Sequence, residues 1–509
     1  MPEYMIGDDL VVVTNKPNRN KGTKIITTLA WGDEITVDGM QGKYHRITFD
    51  YYKDEPDGSY TKQERQGFIK EETKLLDVNS NDVFRMSFVD VQQGDAILIE
   101  TPKDKKIIID GGDNQLFARY LAQRFIGSSE TEPQEIDALV VTHGDADHFE
   151  GLTRIHKSES NNILRKRLYL YPKRIFHNGI VKGPSKKNNK NVPQKKLLGK
   201  TKTKNGNLYL VDIYDDPTEA PSTGMNSKFK EWKTAIRRWQ EHGPIQITRL
   251  EYGDDDQFSF LSDEEIDVQV LGPLVESVDG SPALPFLTKP KKTIPRTMEE
   301  ELENKNHGKS YSASHTINGH SIVLKIKYRN VNFLLTGDLN EKSEHALVKL
   351  AKQNQTDLKS EIFKVPHHGS HDFSSHFLEQ VSPVVSVVSS GDENAKKEYI
   401  HPRSTLVGAL GKYSRIDQPL IFITELVAFF QTLGWSDPKI YHTKKLENVK
   451  KTLKSPYFSF KRTAFGTVNI RTNGEKVLVF TDSGREDMKE AYRFIVKEGK
   501  IKFEKVKKV

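Results

Sequence analysis

The feature that most constrains this chain is a cluster of histidines and aspartates directly after a short apolar run. Ala138–Val141 is predicted to be a strand, and His143, Asp145, Asp147 and His148 follow it within a few residues. Burying two imidazoles and two carboxylates together is costly unless they share a cation. The chain has 509 residues and no cysteine, so any metal must be held by His, Asp, Glu or backbone oxygens. The sequence therefore predicts a metal site at the end of this strand.

Two later apolar runs also end in candidate ligands. Residues 333–335 lead through Thr-Gly to Asp338, and residues 361–366 lead to His367 and His368. A carboxylate placed in this way can bridge two cations, and neutral imidazole is a common metal ligand. Strands alternate with helical segments along this part of the chain, which predicts a layered α/β fold.

Six motifs occur in an order that resembles a known family. They are DVQQGDA at residues 90–96, IDGG at 109–112, HGDADH at 143–148, LTGDL at 335–339, VPHHGS at 365–370, and His401 with Pro402. Together they resemble the metallo-β-lactamase fold, and within it the hydrolase domain of ComEC-type DNA-internalisation proteins. The resemblance covers residues 83–481. It implies an αββα sandwich with two divalent metal ions in a cleft at the strand ends.

The resemblance also implies roles for individual residues. The implied metal ligands are His143, Asp145, Asp147, His148, His315, Asp338 and His368. The implied catalytic residues are Asp147, His367 and His401. The first metal position would hold His143 and Asp145, and the second would hold Asp147 and His148, with Asp338 between them.

Several of these assignments stay open at this point. The third histidine ligand is His315 or His177, or it is replaced by an Asn-x-x-Ser pattern around His320. Either His367 or His368 binds metal, and the other faces the substrate. Asp110 supports a ligand imidazole through hydrogen bonds or only forms a turn, and His401 is a general acid, a phosphate contact or a structural residue.

The donor set and the resemblance predict the chemistry of the site. Asp145 stands where other branches of the family have a histidine, which makes the site more oxygen-rich and favours Mn²⁺ or Mg²⁺ relative to Zn²⁺. We expect two divalent ions, Mn²⁺ or Zn²⁺, with Mg²⁺ a further candidate. Two such ions activate a water and hold the oxygens of a phosphodiester in line for displacement.

Other parts of the chain have a different composition. Residues 1–78 contain short β-rich runs separated by turn residues and resemble bacterial SH3-like β-barrels, which bind peptides, cell-wall fragments or partner proteins; a purely structural module is the alternative. We predict a basic insertion at 157–206, a second insertion at 276–310 and a basic tail at 482–509. Nine lysines and no acidic residue lie between residues 182 and 204, which predicts a flexible basic loop.

The charge distribution and the motifs favour nucleic acid as the substrate. The net charge of +7, from 77 basic and 70 acidic residues, is a mild excess, so its position matters more than its sum. The predicted contacts to a phosphate backbone are Lys186, Lys187, Lys190, Lys195 and Lys196. The leading interpretation is a metal-dependent nuclease acting on DNA. The alternatives are a hydrolase of a small phosphoester or ester, such as cell-wall phosphocholine, and a non-catalytic scaffold with a hydrolase fold.

The sequence also bears on cellular location. It shows no secretory signal and no apolar run long enough to cross a membrane, so we expect a cytoplasmic protein without a membrane partner. A nuclease inside a cell needs restraint, and we therefore expect a role in defence or repair, controlled by a partner protein that binds the SH3-like module.

Overall fold

The computed structural model describes residues 2–18, 22–289, 310–391, 401–425, 466–482 and 490–509. Most of the predicted second insertion, residues 290–309, lies outside these ranges, as do residues 483–489 of the predicted tail. The α-helices are α1 (Leu116–Arg124), α2 (Ala146–Ser158), α3 (Ser227–Trp239), α4 (Ala313–Gly319), α5 (Glu341–Asn354), α6 (Ser375–Val381) and α7 (Ser404–Tyr413). Within the described residues, no helix is both long enough and apolar enough to span a bilayer.

The N-terminal module is an antiparallel sheet. Its strands are β1 (Glu3–Ile6), β2 (Leu10–Thr14), β3 (Ile25–Ala30), β4 (Glu34–Gln41), β5 (Tyr44–Asp54), β6 (Tyr60–Lys70) and β7 (Leu75–Asp77), in the order β3-β2-β6-β5-β4-β1-β7. Val11, Val13, Ile26 and Ile47 form its apolar core. The alternation of buried and partly buried residues in β3 has the two-residue period of a strand with one face in the core. A small β-module is therefore present, and its likeness to SH3 domains stays a prediction.

The rest of the described chain forms further sheets. Its strands are β8 (Phe84–Phe88), β9 (Ile97–Glu100), β10 (Lys106–Ile109), β11 (Gln134–Ile136), β12 (Ala138–Val141), β13 (Leu170–Pro172), β14 (Arg174–His177), β15 (Lys186–Lys187), β16 (Lys190–Asn191), β17 (Thr201–Lys204), β18 (Asn207–Leu210), β19 (Gln246–Arg249), β20 (Ile266–Gly272), β21 (Glu276–Val278), β22 (Ser281–Pro285), β23 (Val323–Tyr328), β24 (Val331–Leu335), β25 (Ile362–Lys364), β26 (Val385–Val388), β27 (Leu420–Ile423), β28 (Thr467–Thr472), β29 (Lys476–Asp482), β30 (Ala491–Lys497) and β31 (Lys500–Glu504).

Two of these sheets pack face to face and make the central layers. Over the described residues, the larger sheet has ten strands in the order β19-β14-β12-β10-β9-β8-β28-β29-β30-β31, and the smaller has six in the order β20-β23-β24-β25-β26-β27. Phe84 and Met86 from the larger sheet share one core with Val268 and Phe333 from the smaller. Helices α1, α2 and α3 cover the outer face of the larger sheet, and α5, α6 and α7 cover that of the smaller. The predicted αββα layering is present.

The topology brings several strand ends to one edge of the sandwich. Strands β10, β12 and β14 run parallel in the larger sheet, and β24, β25 and β26 run parallel in the smaller. The loops that leave the carboxyl ends of parallel strands lie at the same edge, where open α/β sheets form their ligand sites. The loops after β10, β12, β24 and β25 carry the histidines and aspartates singled out from the sequence.

The predicted basic tail is a β-hairpin and not a free extension. Strands β30 and β31 pair with each other and extend the larger sheet, because Phe494 and Val496 alternate with polar residues and are buried in the core. The last residues pair with the N-terminal module, where the Val12 N–H donates to the Val509 carbonyl at 3.0 Å. Buried Asp9 of the module forms ion pairs with cations on β29 and β30. The two chain ends therefore hold the module to the sandwich.

The basic insertion also differs from the prediction. The end of helix α2 and strand β14 fall within residues 157–177 and belong to the sandwich, and β13 pairs with β11 in a separate two-stranded sheet. The segment that leaves the sandwich therefore begins after His177. The lysine-rich stretch is ordered, because Leu197 and Leu198 are buried in a small apolar cluster with Phe286 and Ile317. These apolar anchors fix a segment that its composition alone marks as a flexible loop.

Candidate metal centre

The candidate ligands come from three loops at the same edge of the sandwich. His143 lies in the loop after β12, and Asp147 and His148 stand in the first turn of α2. Asp338 follows β24, and His368 follows β25 in a turn where its φ is 52°. His143, His148 and Asp338 are nearly fully buried. Strand placement therefore brings together side chains that are far apart in the sequence.

Asp338 is the centre of this group. Its Oδ1 lies 3.3 Å from His148 Nε2, and its Oδ2 lies 3.3 Å from His368 Nε2 and 3.9 Å from His143 Nε2. His368 Nε2 is also 3.4 Å from Asp147 Oδ2. His143, His148 and Asp338 form one group whose ligand atoms all lie within 4.8 Å of one another, and Asp147, His148 and His368 form a second. His148 belongs to both groups, so the two candidate positions are adjacent.

The residues present fit divalent metal ions. The Nε2 atoms of His143, His148 and His368 are buried and make no hydrogen bond, and the same is true of Asp338 Oδ1. Buried polar atoms in folded proteins are almost always hydrogen-bonded, so a set of unpartnered atoms that face one point indicates a cation. Imidazole nitrogens with carboxylates suit Zn²⁺ and Mn²⁺ alike, and the geometry does not choose between them.

The charges of the site depend strongly on one another. Burial alone would lower the pKa of His148, but the Asp338 and Asp110 carboxylates outweigh burial and hold this pKa well above its usual range. At His368, burial again opposes the charged form, but the Asp338, Asp147 and Asp95 carboxylates outweigh burial and raise the pKa to about 10. Protonated imidazoles thus neutralise the carboxylates when no metal is bound. A metal ion must displace these protons, because imidazole ligates only in its neutral form.

Asp110 forms a hydrogen bond with the candidate ligand His148, which is one of the two roles that the sequence left open for it. Its Oδ2 accepts from His148 Nδ1 at 2.8 Å and from the Thr142 hydroxyl at 2.6 Å, and its Oδ1 accepts from the Thr142 N–H at 2.8 Å. Asp110 is fully buried and has a left-handed backbone, with φ of 58°. The contact fixes the ring so that Nε2 faces Asp338. The role of Thr142 in this contact was not predicted.

Asp145 lies outside the groups of clustered ligands, and its assignment as a metal ligand stays a prediction. Its Oδ1 pairs with the Lys182 ammonium at 2.5 Å, and its Oδ2 lies 2.9 Å from the side-chain amide nitrogen of Asn318. None of the ligand groups found in the described residues contains it. The physical reason is that Lys182, at the start of the basic insertion, already supplies the positive charge that this buried carboxylate requires.

The three candidates for a third histidine ligand also lie outside these groups. His315 Nδ1 is 3.4 Å from Asp372 Oδ2, so this ring faces a different carboxylate. His177 contacts the Asp215 carbonyl at 2.9 Å, and His320 contacts the Pro285 carbonyl at 2.7 Å. Each ring thus has a contact of its own outside the ligand groups.

The remaining alternative, the Asn-x-x-Ser pattern, is the one that reaches the centre. Ser321 Oγ accepts from the Asp338 N–H at 3.0 Å and lies 3.3 Å from His143 Nδ1. Asn318 lies beside Asp145, as described above, and is 3.3 Å from His367 Nε2. These two polar residues orient ligands where a third histidine was expected.

Comparison with known proteins is consistent with this geometry. Residues 89–193 match the Metallo-beta-lactamase superfamily. This part of the chain is therefore similar to metallo-β-lactamase domains. The chain is also 29% identical over 98 residues to ComE operon protein 3 of Bacillus subtilis (strain 168), and 43% identical over 86 residues to Competence protein ComA of Neisseria gonorrhoeae. These segments are 19% and 17% of this chain, and each spans 12% of the relative's own length.

A solved structure has also been compared with the whole chain. It is a mutant of CmlA beta-hydroxylase, with 10% identity and a TM-score of 0.28, and the match covers 67% of this chain and 52% of that one. A TM-score of this size is too low to support any conclusion. The similarity to metallo-β-lactamase domains is carried by the family match over residues 89–193, and the layered sheets and the ligand cluster are consistent with it.

A cleft lies in front of the candidate metal centre. The cleft has a volume of about 340 Å³, and Asp147, Asp338, His367, His368 and His401 are among the residues that line it. His368 faces the ligands, whereas His367 has no part in the ligand groups found in the described residues. Burial, helped by the nearby His367 and His368, lowers the pKa of His401 to about 3. His401 is therefore neutral at neutral pH, and its assignment as a general acid stays a prediction.

Two buried residues at the centre were not predicted from the sequence. Lys364 ends β25, is 1% exposed and pairs with the Asp95 carboxylate. Its ammonium also donates to the Gly337 carbonyl at 2.8 Å and lies 3.8 Å from Asp338 Oδ1. Asp95 is in the DVQQGDA motif that carries the family resemblance, and its carboxylate lies 3.5 Å from His368 Nδ1. Lys364 thus adds a fixed positive charge beside the ligand carboxylate.

The lysines predicted to bind nucleic acid are exposed near this cleft. Lys186, Lys187 and Lys190 lie on the exposed hairpin β15–β16. Lys195 and Lys196 follow in a short 3₁₀ turn, where the Lys195 ammonium lies 4.6 Å from the centre of the Tyr311 ring. Gln194 in the same turn accepts from the backbone N–H of Ala313, at the start of α4. Because α4 carries residues that line the cleft, the basic segment borders it.

Proposed function

We propose that this chain is a metal-dependent phosphodiesterase, and more narrowly a nuclease that acts on DNA. The observation that carries the proposal is the convergence of the buried, unpartnered Nε2 atoms of His143, His148 and His368 on the Asp338 carboxylate. Such a centre belongs to a hydrolase of the metallo-β-lactamase superfamily. The restriction to DNA rests on two further features, the exposed lysines of the basic segment and the similarity to a relative named Competence protein ComA.

The residues of the chain have separable roles in this proposal. His143, His148 and Asp338 would hold one divalent ion, and Asp147 and His368, with His148 or Asp338, would hold the second. Divalent ions in such a centre activate water and stabilise the developing charge on a phosphodiester. Asp110 and Ser321 orient the ligand imidazoles, and the Lys364 ammonium limits the negative charge of the emptied centre.

The substrate class follows from the charge around the cleft. Lys195 and Lys196 lie in the short turn whose Gln194 contacts the start of α4, and residues of α4 line the cleft. Lys186, Lys187 and Lys190 precede this turn on the exposed hairpin β15–β16. Lysine side chains bind the phosphate backbone without regard to sequence. We therefore propose that the polyanion lies along the basic segment and presents one phosphodiester to the metal centre.

The test is a cleavage assay with purified protein and a matched pair of variants. Single- and double-stranded DNA, RNA and a chromogenic phosphodiester are incubated with Mn²⁺, Mg²⁺ or Zn²⁺. We expect DNA cleavage by the wild type, loss of it in Asp338→Asn, and unchanged cleavage in Asp267→Asn, which removes an exposed carboxylate from β20. Both variants make the same chemical change, so a difference between them reports the metal centre and not the loss of a carboxylate in general.

Three results would contradict the proposal in different ways. Cleavage of the chromogenic substrate without cleavage of nucleic acid would indicate a small-phosphoester hydrolase. Cleavage of RNA alone would leave the phosphodiesterase assignment intact and exclude DNA. Absence of both cleavage and bound metal by elemental analysis would indicate a non-catalytic scaffold with a hydrolase fold.

A further inference from the structure

A second polar site lies on the outer face of the larger sheet, away from the strand ends that carry the metal centre. Successive side chains of a strand lie on opposite faces of the sheet. Arg85 of β8 and Arg471 of β28 therefore lie on this outer face, while their neighbours Met86 and Ile470 are buried in the core. The register places Arg85 directly opposite Arg471, and on its other side opposite Glu100 of β9. Like charges directly opposite each other in antiparallel strands are destabilising, so the pair of arginines requires compensation.

Part of the compensation comes from the N-terminal module. The Ala30 carbonyl accepts from Arg471 Nη1 at 3.1 Å, and the Gly32 carbonyl accepts from Arg85 Nη2. Asp33 Oδ1 lies 2.8 Å from Arg471 Nη2. The turn between β3 and β4 of the module therefore closes one side of the site.

Helix α1 closes another side and adds a third guanidinium. Arg124, at the end of this helix, pairs with Glu100 Oε1 at 2.6 Å. Three guanidiniums, of Arg85, Arg124 and Arg471, thus face two carboxylates, of Asp33 and Glu100, which leaves one positive charge in excess. Arg85 carries the excess, because its Nε is buried and has no hydrogen-bond partner. Burial and the neighbouring Arg471 both lower the pKa of Arg85.

The space between these groups is small and polar. The cavity has a volume of about 230 Å³, and Ser87, Tyr120 and Asn469 supply further polar groups to its wall. Sites for drug-sized organic ligands have volumes of about 300–1,000 Å³, so this cavity suits a smaller ligand. Guanidinium groups hold tetrahedral oxyanions through paired, charge-assisted hydrogen bonds.

We propose that this cavity, framed by Arg85, Arg124 and Arg471, binds one small oxyanion of the phosphate class at the junction of the N-terminal module and the sandwich. The anion neutralises the excess charge and contacts groups from the module turn, the sheet and α1 at once. Its binding therefore ties the module to the hydrolase domain. The site is independent of the metal centre and of the proposed nuclease activity, since it uses different residues on a different face of the sheet.

The test is calorimetric titration of inorganic phosphate into the full-length protein in the presence of a chelator, which removes metals as a binding site for phosphate. Chloride at equal ionic strength is the blank. We expect one phosphate per chain and an affinity about tenfold weaker in Arg124→Gln, the effect expected from losing one charged hydrogen bond. Arg119→Gln is the matched control, because Arg119 lies on the same helix and is exposed.

The choice of variants keeps the test decisive. Arg124 is 44% exposed at its side chain, and its replacement leaves the contacts of Arg85 and Arg471 with the module in place. Equal affinities for phosphate in Arg124→Gln and Arg119→Gln would overturn the proposal. The proposal would also be overturned if the heat of binding did not saturate in a titration up to about 10 mM phosphate, a range that covers millimolar Kd values. Either result would leave the three arginines as a structural contact between module and sheet.

Discussion

The replacement Lys364→Met tests whether a fixed ammonium holds the charge balance of the metal centre. Lys364 is 1% exposed, pairs with Asp95 and donates to the Gly337 carbonyl at 2.8 Å. Methionine keeps an unbranched apolar stem of similar length and removes the positive charge. The change leaves the Asp95 carboxylate buried without its closest cation, and it leaves Asp338 without a cation 3.8 Å away.

The size of the effect follows from the burial of both partners. Breaking a buried ion pair by removing one partner costs about 3–5 kcal/mol, because an uncompensated charge stays in the core. We expect the free energy of unfolding to fall by this amount in urea denaturation followed by circular dichroism at pH 7 with a chelator. The control is Lys327→Met on β23, where the side chain is exposed and a change within about 0.5 kcal/mol is expected. Adding Mn²⁺ should reduce the loss, because a bound cation offsets the same carboxylates.

A double-mutant cycle separates the ion pair from other effects of the substitution. Asp95→Asn removes the partner charge, and the double variant with Lys364→Met should lose less than the sum of the two single variants. Contacting residues of this kind show interaction energies of about 0.5–3 kcal/mol. Additive losses, or a loss below about 1 kcal/mol in Lys364→Met, would refute the view that this ammonium balances the centre.

Three further predictions concern other parts of the molecule. Asp110→Asn should weaken Mn²⁺ binding about 10–100-fold in calorimetry, because the variant no longer orients the His148 ligand. Burial opposes a low pKa at Asp9, but Lys476, the Lys507 N–H and Arg493 together outweigh burial and lower the pKa of this carboxyl. The stability that the ionised Asp9 contributes is therefore complete above about pH 4 and is lost as the pH falls through the lower pKa of Asp9 in the folded protein. In urea denaturation at different pH values, Asp9→Asn should remove this acid-sensitive part of the free energy of unfolding. Replacing Lys186, Lys187 and Lys190 by Gln should weaken binding to duplex DNA and make the salt slope about 0.9 shallower for each phosphate that the variant no longer neutralises.

Much of the metal centre could be predicted because its ligands follow strands. The apolar runs before His143, Asp338 and His368 predict strands, and parallel strands bring their carboxyl ends to one edge. The sequence therefore predicts which loops meet. The alternation of strands and helices predicts a layered α/β fold, whereas the αββα order was implied by the family resemblance. The supporting contact from Asp110 to His148 is consistent with this local pattern, because Asp110 also follows a strand directly.

The ion pair between Asp145 and Lys182 could not be predicted in the same way. The position of Asp145 in the HGDADH motif suggests a ligand, but Lys182 comes from an insertion whose path the sequence does not reveal. The composition of that insertion is typical of a flexible loop, whereas Leu197 and Leu198 bury it against α4. A long-range ion pair depends on how such a segment folds back, and neither periodicity nor turn residues carry that information.

The sequence contains a signal for the buried ion pair of Lys364, although Lys364 was not among the predicted site residues. Lys364 interrupts the apolar run Ile362-Phe363-Lys364-Val365, and each of its neighbours in this run is fully buried. A charged residue inside such a strand is stable only with a partner of opposite charge. The strand ends beside the histidine pair, so the partner had to be a carboxylate near the metal centre. The sequence could therefore predict that Lys364 pairs within the site, while the choice of Asp95 over other carboxylates follows only from the packing of the two sheets.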